Sequence, residues 1–151
     1  LFLHRVESRL PKEKQQIIRK LHRTEEILRG KKVLIVDDDM RNTYSLSNVL
    51  DEEGMHCFTA ENGRVAMEVL QQQKDIDIVL MDIMMPEMDG FEATQAIRQI
   101  NALSKLPIIA LTAKAMKGDR EKCLEAGMSD YIAKPVNMDQ LLSLMRVWLY
   151  R

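Results

Sequence analysis

The chain has 151 residues, 46% hydrophobic and 30% charged, with a formal net charge of -1, which suits a single globular domain with a short extension. A charge so near zero gives no electrostatic footprint for nucleic acid or an anionic membrane surface, and no apolar run is long enough to span a bilayer or reads as a signal peptide. Cys57 and Cys123 lie far apart without a C-x-x-C spacing, which argues against a disulfide framework or a zinc site and for reduced thiols in a reducing compartment.

Residues 1–30 are rich in Lys, Arg, Glu and Gln, and from Pro11 onward Ile17, Ile18, Leu21 and Leu28 fall at helical spacing, with Gly30 as a stop signal. This predicts a helical connector, with the following domain over residues 31–151. The opening Leu in place of Met points to a piece cut from a longer polypeptide. His4 and His22 have no acidic or Asn-rich motif beside them, so a phosphate-carrying role for either is not expected.

From Lys31 the pattern alternates between strand and helix. Val33 to Val36 forms an apolar, β-branched strand followed by Asp37, Asp38 and Asp39. Met40 to Glu53 carries Leu46, Val49 and Leu50 on one helical face and ends at Gly54. A second strand spans Met55 to Ala60, and a second helix Asn62 to Gln73 with Ala66, Val69 and Leu70 inward. Ile78 to Met81 is a third strand, apolar throughout, with Asp82 directly at its end. Pro86 and the Asp89–Gly90 pair break regular structure before a helix over Phe91 to Ile100, with Ala93, Ala96, Ile97 and Ile100 inward. A fourth strand runs from Pro107 to Leu111, a helix from Met116 to Ala126 closes at Gly127, and a fifth short strand spans Tyr131 to Ala133. Met138 to Leu149 is the last helix, with Leu141, Leu144, Met145 and Trp148 inward; Leu142 and Leu149 add apolar surface that suits either an interaction face or a broad core stripe. The alternation predicts an α/β fold with a doubly wound, mostly parallel, five-stranded sheet and right-handed crossovers.

Polar groups follow four of these strands: Asp37 and Asp38 the first, Asp82 the third, Thr112 the fourth and Lys134 the fifth. In a doubly wound sheet these positions share one edge, where ligands bind. Three carboxylates together repel one another unless a cation joins them, and their hard oxygens suit Mg²⁺. A Lys ammonium and a Thr hydroxyl add donors, and donors with a divalent cation make a site for a phosphoryl group, with Asp82 as the natural nucleophile. Asp39 is expected to cap the next helix or sit at the rim of the site. The methionines at 81, 84, 85 and 88 are expected in packing roles, and His56 is expected to be structural or exposed.

Val33–Asp39, Leu80–Gly90, the Ala110-Leu111-Thr112-Ala113 run and the Tyr131-Ile132-Ala133-Lys134-Pro135 run resemble, in order and spacing, the receiver domain of two-component response regulators. The resemblance covers about Lys31 to Tyr150. It implies a flavodoxin-like sheet in the order 2-1-3-4-5 and a phosphoacceptor at Asp82 that takes its phosphoryl group from a phosphohistidine on a histidine kinase or histidine phosphotransfer domain. It implies direct Mg²⁺ ligation by Asp38 and Asp82, a partly water-mediated role for Asp37, and a further ligand in the Met84 carbonyl. Thr112, Lys134 and the backbone N–H groups of Ile83 and Ala113 would contact phosphoryl oxygens, the Lys134–Pro135 bond would be cis, and Tyr131 would change rotamer as Thr112 moves. The lead-in and Asn42 look like receivers of hybrid sensor histidine kinases, which implies a cytoplasmic domain that catalyses only its own aspartyl phosphorylation and dephosphorylation, within a parent chain that is a histidine kinase. Nothing after the last helix offers a DNA-binding output domain, no membrane contact is expected, and a dimer is left open. The alternatives are a freestanding response regulator, a non-phosphorylated scaffold, and a phosphatase of the haloacid dehalogenase type. The last is disfavoured because Asp37 and Asp38 are adjacent rather than in a D-x-D pattern.

Overall fold

A computed structural model describes residues 27–83, 90–112 and 117–150, except the side chains of residues 117–120. The elements are β1 Lys32–Val36, α1 Met40–Glu52, β2 His56–Ala60, α2 Gly63–Gln72, β3 Ile78–Asp82, α3 Gly90–Arg98, a 3-10 turn Asn101–Leu103, β4 Ile108–Thr112, α4 Lys117–Glu125, β5 Asp130–Ala133 and α5 Met138–Leu149. All strand pairs are parallel, in the order β2-β1-β3-β4-β5. The expected fold class and strand order are both present.

The continuous apolar strands require a sheet covered on both faces, and they receive one. Successive residues of β1 alternate between two cores. Leu34 and Val36 pack with Ala66, Leu70, Ala93 and Ile97 under α2 and α3, whereas Val33 and Ile35 pack with Leu46, Leu50, Leu141 and Met145 under α1 and α5. β3 and β4 are buried along their whole length, while the edge strand β2 leaves His56 and Thr59 exposed. On α5, Leu142 is buried within the second core, and Leu149 packs half-buried beside it with Leu144 and Trp148. The extra apolar residues therefore widen the core stripe, and only Val147 is left well exposed.

Side chains cap the starts of three helices, one of them as anticipated. Asp39 caps α1 by accepting the Arg41 N–H, Asn62 caps α2 through the Val65 N–H, and Asn137 caps α5 through the Gln140 N–H. Gly54 follows α1 at φ +85°, and a Cβ there would press on Arg29 Cγ at 3.1 Å. Among the described residues no helix is long and apolar enough to cross a membrane.

The start of the domain differs from expectation. Residues 27–30 form a turn rather than the end of a helix, and residues 1–26, with His4 and His22, lie outside the described residues. Leu28 is wholly buried in the core under α1 and α5. The Gly30 N–H donates to the Gly54 carbonyl at 2.8 Å, and the His56 N–H to the Lys31 carbonyl at 2.9 Å. The boundary expected at Gly30 thus falls inside the packed unit, because Leu28 closes the lower end of that core. The two thiols do not meet: Cys123 is buried and Cys57 is half-buried. Burial first, and then the nearby Asp51 carboxylate, push the Cys57 thiol up to about 12, so it stays protonated.

Replacing Leu28 by Ala should destabilise the fold by about 2–5 kcal/mol, the cost of emptying a buried leucine site. Val147→Ala, at a residue 70% exposed, should change stability by less than about 0.5 kcal/mol. Urea denaturation of both variants measures the difference, and equal losses would refute the assignment of Leu28 to the core.

Candidate functional site

Parallel pairing brings the strand ends to one edge. Val36 of β1 is in register with Met81 of β3, Asp82 with Leu111 of β4, and Thr112 with Ala133 of β5. Asp37 therefore stands beside Asp82, and Lys134 leaves the sheet beside Thr112, its N–H donating to the Thr112 carbonyl at 2.7 Å. Asp37, Asp82 and Thr112 are buried, whereas Asp38 is exposed. Oxygens of Asp37, Asp38 and Asp82 lie within 4.8 Å of one another. This is an all-oxygen donor set of the kind that holds hard divalent cations.

The Lys134 ammonium lies between the two buried acids, with Nζ 3.3 Å from Asp37 Oδ2 and 3.3 Å from Asp82 Oδ1. Burial pulls its pKa down, but the charges of Asp82 and Asp37 more than offset this and leave it above the ordinary 10.5. The stabilisation carried by this ammonium is therefore complete below the unfolded value and is lost only as pH rises through the elevated folded value. Asp37 is held from three sides. Its Oδ1 accepts the Asp39 N–H at 2.9 Å, and its Oδ2 faces both Lys134 and the Asn42 amide at 3.5 Å. Among the described residues one ammonium faces three carboxylates, an imbalance that favours a cation.

Of the backbone groups expected at the site, Met84 and Ala113 lie outside the described residues, as do Met85 and Met88. Ile83 departs from expectation. Its N–H donates to the Leu111 carbonyl at 3.1 Å, because β3 and β4 continue their ladder one residue past Asp82. It can serve a bound anion only by giving up that bond. The Lys134–Pro135 bond is cis, as expected. Tyr131 is half-buried against the core under α2 and α3.

Two contributors escaped the sequence pattern. Gly90 opens α3 directly under Asp82, where an added Cβ would stand 2.5 Å from the Asp82 carbonyl oxygen and 2.8 Å from Ile83 Cα. The Gly90 N–H donates to the Ile83 carbonyl at 3.0 Å, and the buried Thr94 hydroxyl donates to the Gly90 carbonyl at 2.7 Å. The Asp89–Gly90 pair signalled a turn, but a close approach to another strand is invisible to local spacing. The other is the Asn42 contact with Asp37, since Asn42 had been singled out by its family likeness alone.

The family model for the response regulator receiver domain matches residues 33–146. The sensor protein GacS of Pseudomonas syringae pv. syringae is 41% identical over 123 residues, which are 80% of this chain and 14% of that protein. The signal transduction histidine-protein kinase BarA of Escherichia coli K12 is 41% identical over 113 residues, 75% of this chain and 12% of that protein. The chain thus spans about one seventh or less of the length of these relatives. Among solved structures, the receiver domain of the sensor histidine kinase PA1611 from Pseudomonas aeruginosa PAO1, with magnesium coordinated in its active-site cleft, superposes with a TM-score of 0.74. It is 37% identical, and the match covers 81% of this chain and 99% of that one.

Gly90→Ala should displace the Asp82 backbone and cost at least about 2 kcal/mol in unfolding free energy. The same variant should bind divalent cations more weakly, since Asp82 moves against Asp37 and Asp38. Urea denaturation and calorimetric titration with Mg²⁺ measure the two effects. A variant indistinguishable from wild type in both would disprove the close contact.

Proposed function

The chain belongs to the response regulator receiver domain family, and from that membership we propose that it is a phosphorelay acceptor, with Asp82 as the residue phosphorylated. The donor is a phosphohistidine of a histidine kinase or a histidine phosphotransfer domain. In the transfer an Asp82 oxygen bonds to phosphorus while the bond from phosphorus to the donor imidazole nitrogen breaks, and the electron pair stays with that nitrogen. The observation that carries the reading is the Lys134 ammonium, 3.3 Å from both Asp82 and Asp37. A cation already beside the nucleophile reaches the phosphoryl oxygens by a short shift away from Asp37 as charge builds on them. The Thr112 hydroxyl, at the end of the adjacent strand, supplies a second donor.

Asp38 and Asp82 would hold Mg²⁺, with Asp37 acting through water and the Met84 carbonyl as a further ligand. The oxygen cluster and the magnesium in the PA1611 receiver support that choice. When bound, the ion supplies positive charge that offsets carboxylate repulsion and the charge of the incoming phosphoryl group. Asp37 keeps Lys134 charged and oriented, and Asp39 and Asn42 keep Asp37 in place. Ala113 N–H joins the phosphoryl contacts, whereas Ile83 N–H joins only if its bond to Leu111 opens. Tyr131 changes rotamer as Thr112 closes on the phosphoryl group, a two-state response to a local charge change. The likeness to GacS and BarA supports a place within the cytoplasmic part of a hybrid histidine kinase, residues 1–26 leading in from a preceding domain.

Incubation with Mg²⁺ and acetyl phosphate, followed promptly by intact-mass measurement, tests the reading. Wild type should gain one phosphoryl group, and both Asp82→Asn and wild type in chelator should gain none. Absence of any adduct on wild type, with acetyl phosphate and with a phosphorylated histidine phosphotransfer domain alike, would overturn it in favour of a scaffold.

A further inference from the structure

On the reading that Asp82 accepts the phosphoryl group, we infer that Asn42 is a positioning residue whose amide takes over a buried oxygen of Asp37 when Lys134 turns to the phosphoryl group. Asn42 is the third residue of α1, and the cap of that helix is already complete, with the Asp39 side chain accepting the Arg41 N–H. Its amide is aimed elsewhere, at Asp37 Oδ2, 3.5 Å away. That oxygen is also the one that receives Lys134 Nζ at 3.3 Å, while Oδ1 is held independently by the Asp39 N–H at 2.9 Å.

The consequence follows from what Lys134 must do. It spans Asp37 and Asp82, so any closer approach to a group carried on Asp82 loosens its hold on Asp37 Oδ2. Asp37 is 2% exposed, and a buried carboxylate oxygen that loses its donor is strongly unfavourable. Left alone, Asp37 would hold the ammonium back and slow the transfer. The Asn42 amide stands at a stretched distance, beside a concavity of about 280 Å³ lined also by Ser45, Lys134 and Pro135. It therefore has space to close on Asp37 Oδ2 as the ammonium departs. Asp39 N–H is the fixed pivot, and Asn42 and Lys134 exchange the other oxygen. Asn42 touches neither the phosphoryl group nor the nucleophile in this account. It acts through Asp37.

Two variants of the full chain separate the donor from the shape of the side chain. Asn42→Leu keeps the branched shape and removes the N–H, and Asn42→Gln keeps an amide on a longer arm. Initial rates of phosphorylation are read by intact mass over a series of acetyl phosphate concentrations at saturating Mg²⁺. Mg²⁺ affinity is read by calorimetry without donor, and folding by thermal melting. Asn42→Leu should lower the rate at saturating donor by about tenfold while the donor KM and the Mg²⁺ Kd stay within about twofold of wild type, the signature of a contact made in the transition state. Asn42→Gln should recover most of the rate. A wild-type rate for Asn42→Leu would overturn the inference while leaving Asp82 as acceptor. So would a loss in both variants matched by weakened Mg²⁺ binding or melting, which would mark a merely structural role. Wild type that takes no phosphoryl group would remove the acceptor reading and this inference together.

Discussion

The contact on which the rest of the structure depends is the Lys134 ammonium, 3.3 Å from an oxygen of Asp37 and 3.3 Å from one of Asp82. Two buried carboxylates on neighbouring strands repel each other, and each has lost most of its water. The cation that reconciles them comes from β5, beyond β4 in the sheet. It can reach them only because its own backbone is anchored to Thr112 at 2.7 Å and its long stem spans the end of β4. Strand order and register are thus preconditions of the charge balance. A sheet with β5 elsewhere would take this ammonium away from two buried acids, at a cost of several kcal/mol.

A second constraint runs through the backbone beneath Asp82. The chain must leave β3 and re-enter as α3 so close that Gly90 sits under the Asp82 carbonyl, with no space for a Cβ. Thr94, though polar, is wholly buried, because its hydroxyl donates to the Gly90 carbonyl. Asp82 is held from below by backbone and from the side by Lys134, while its neighbour Asp38 remains exposed. One face of the acid cluster is therefore rigid and dry, and the other is open to an incoming ion or donor, which is the preorganisation that charge-stabilised transfer needs.

Most of the fold was legible in the sequence because its signals are local. Val33–Val36 and Ile78–Met81 are apolar at every position, and only a strand buried on both faces requires that. Gly54 and Gly127 end helices at positive φ, as their places in the pattern implied. The acid, hydroxyl and amine that follow the strands were legible for the same reason, since alternation of strands and helices puts their ends on one edge. What stayed hidden depends on distance in the chain. Leu28 looked like connector because its partners, Leu50 and Met145 among them, come from elements that follow it. Leu142 exceeded a narrow apolar stripe, and only the packing of α5 over the sheet shows that the stripe is broad. The engagement of Ile83 N–H is a matter of how far the β3–β4 ladder runs, which no spacing rule records.

Among the described residues three carboxylates share one ammonium, and that imbalance gives the fold a means of responding. Under the proposed function, a phosphoryl group on Asp82 draws Lys134 away from Asp37, and the pull falls on β5. The start of that strand is fixed to the last turn of α5, since Asp130 accepts both the Tyr131 N–H at 2.9 Å and the Trp148 indole N–H at 3.3 Å. Between these two fastenings lies Tyr131, only half-buried and packed against the core on the opposite face of the sheet. A strand of four residues, charged at one end and clamped at the other, transmits a change at Lys134 more readily than the wholly buried β3 or β4 could. On that proposal the β5–α5 side is where a charge added at Asp82 would become a change of surface, so the strand order that places Lys134 between the acids would also carry the response outward.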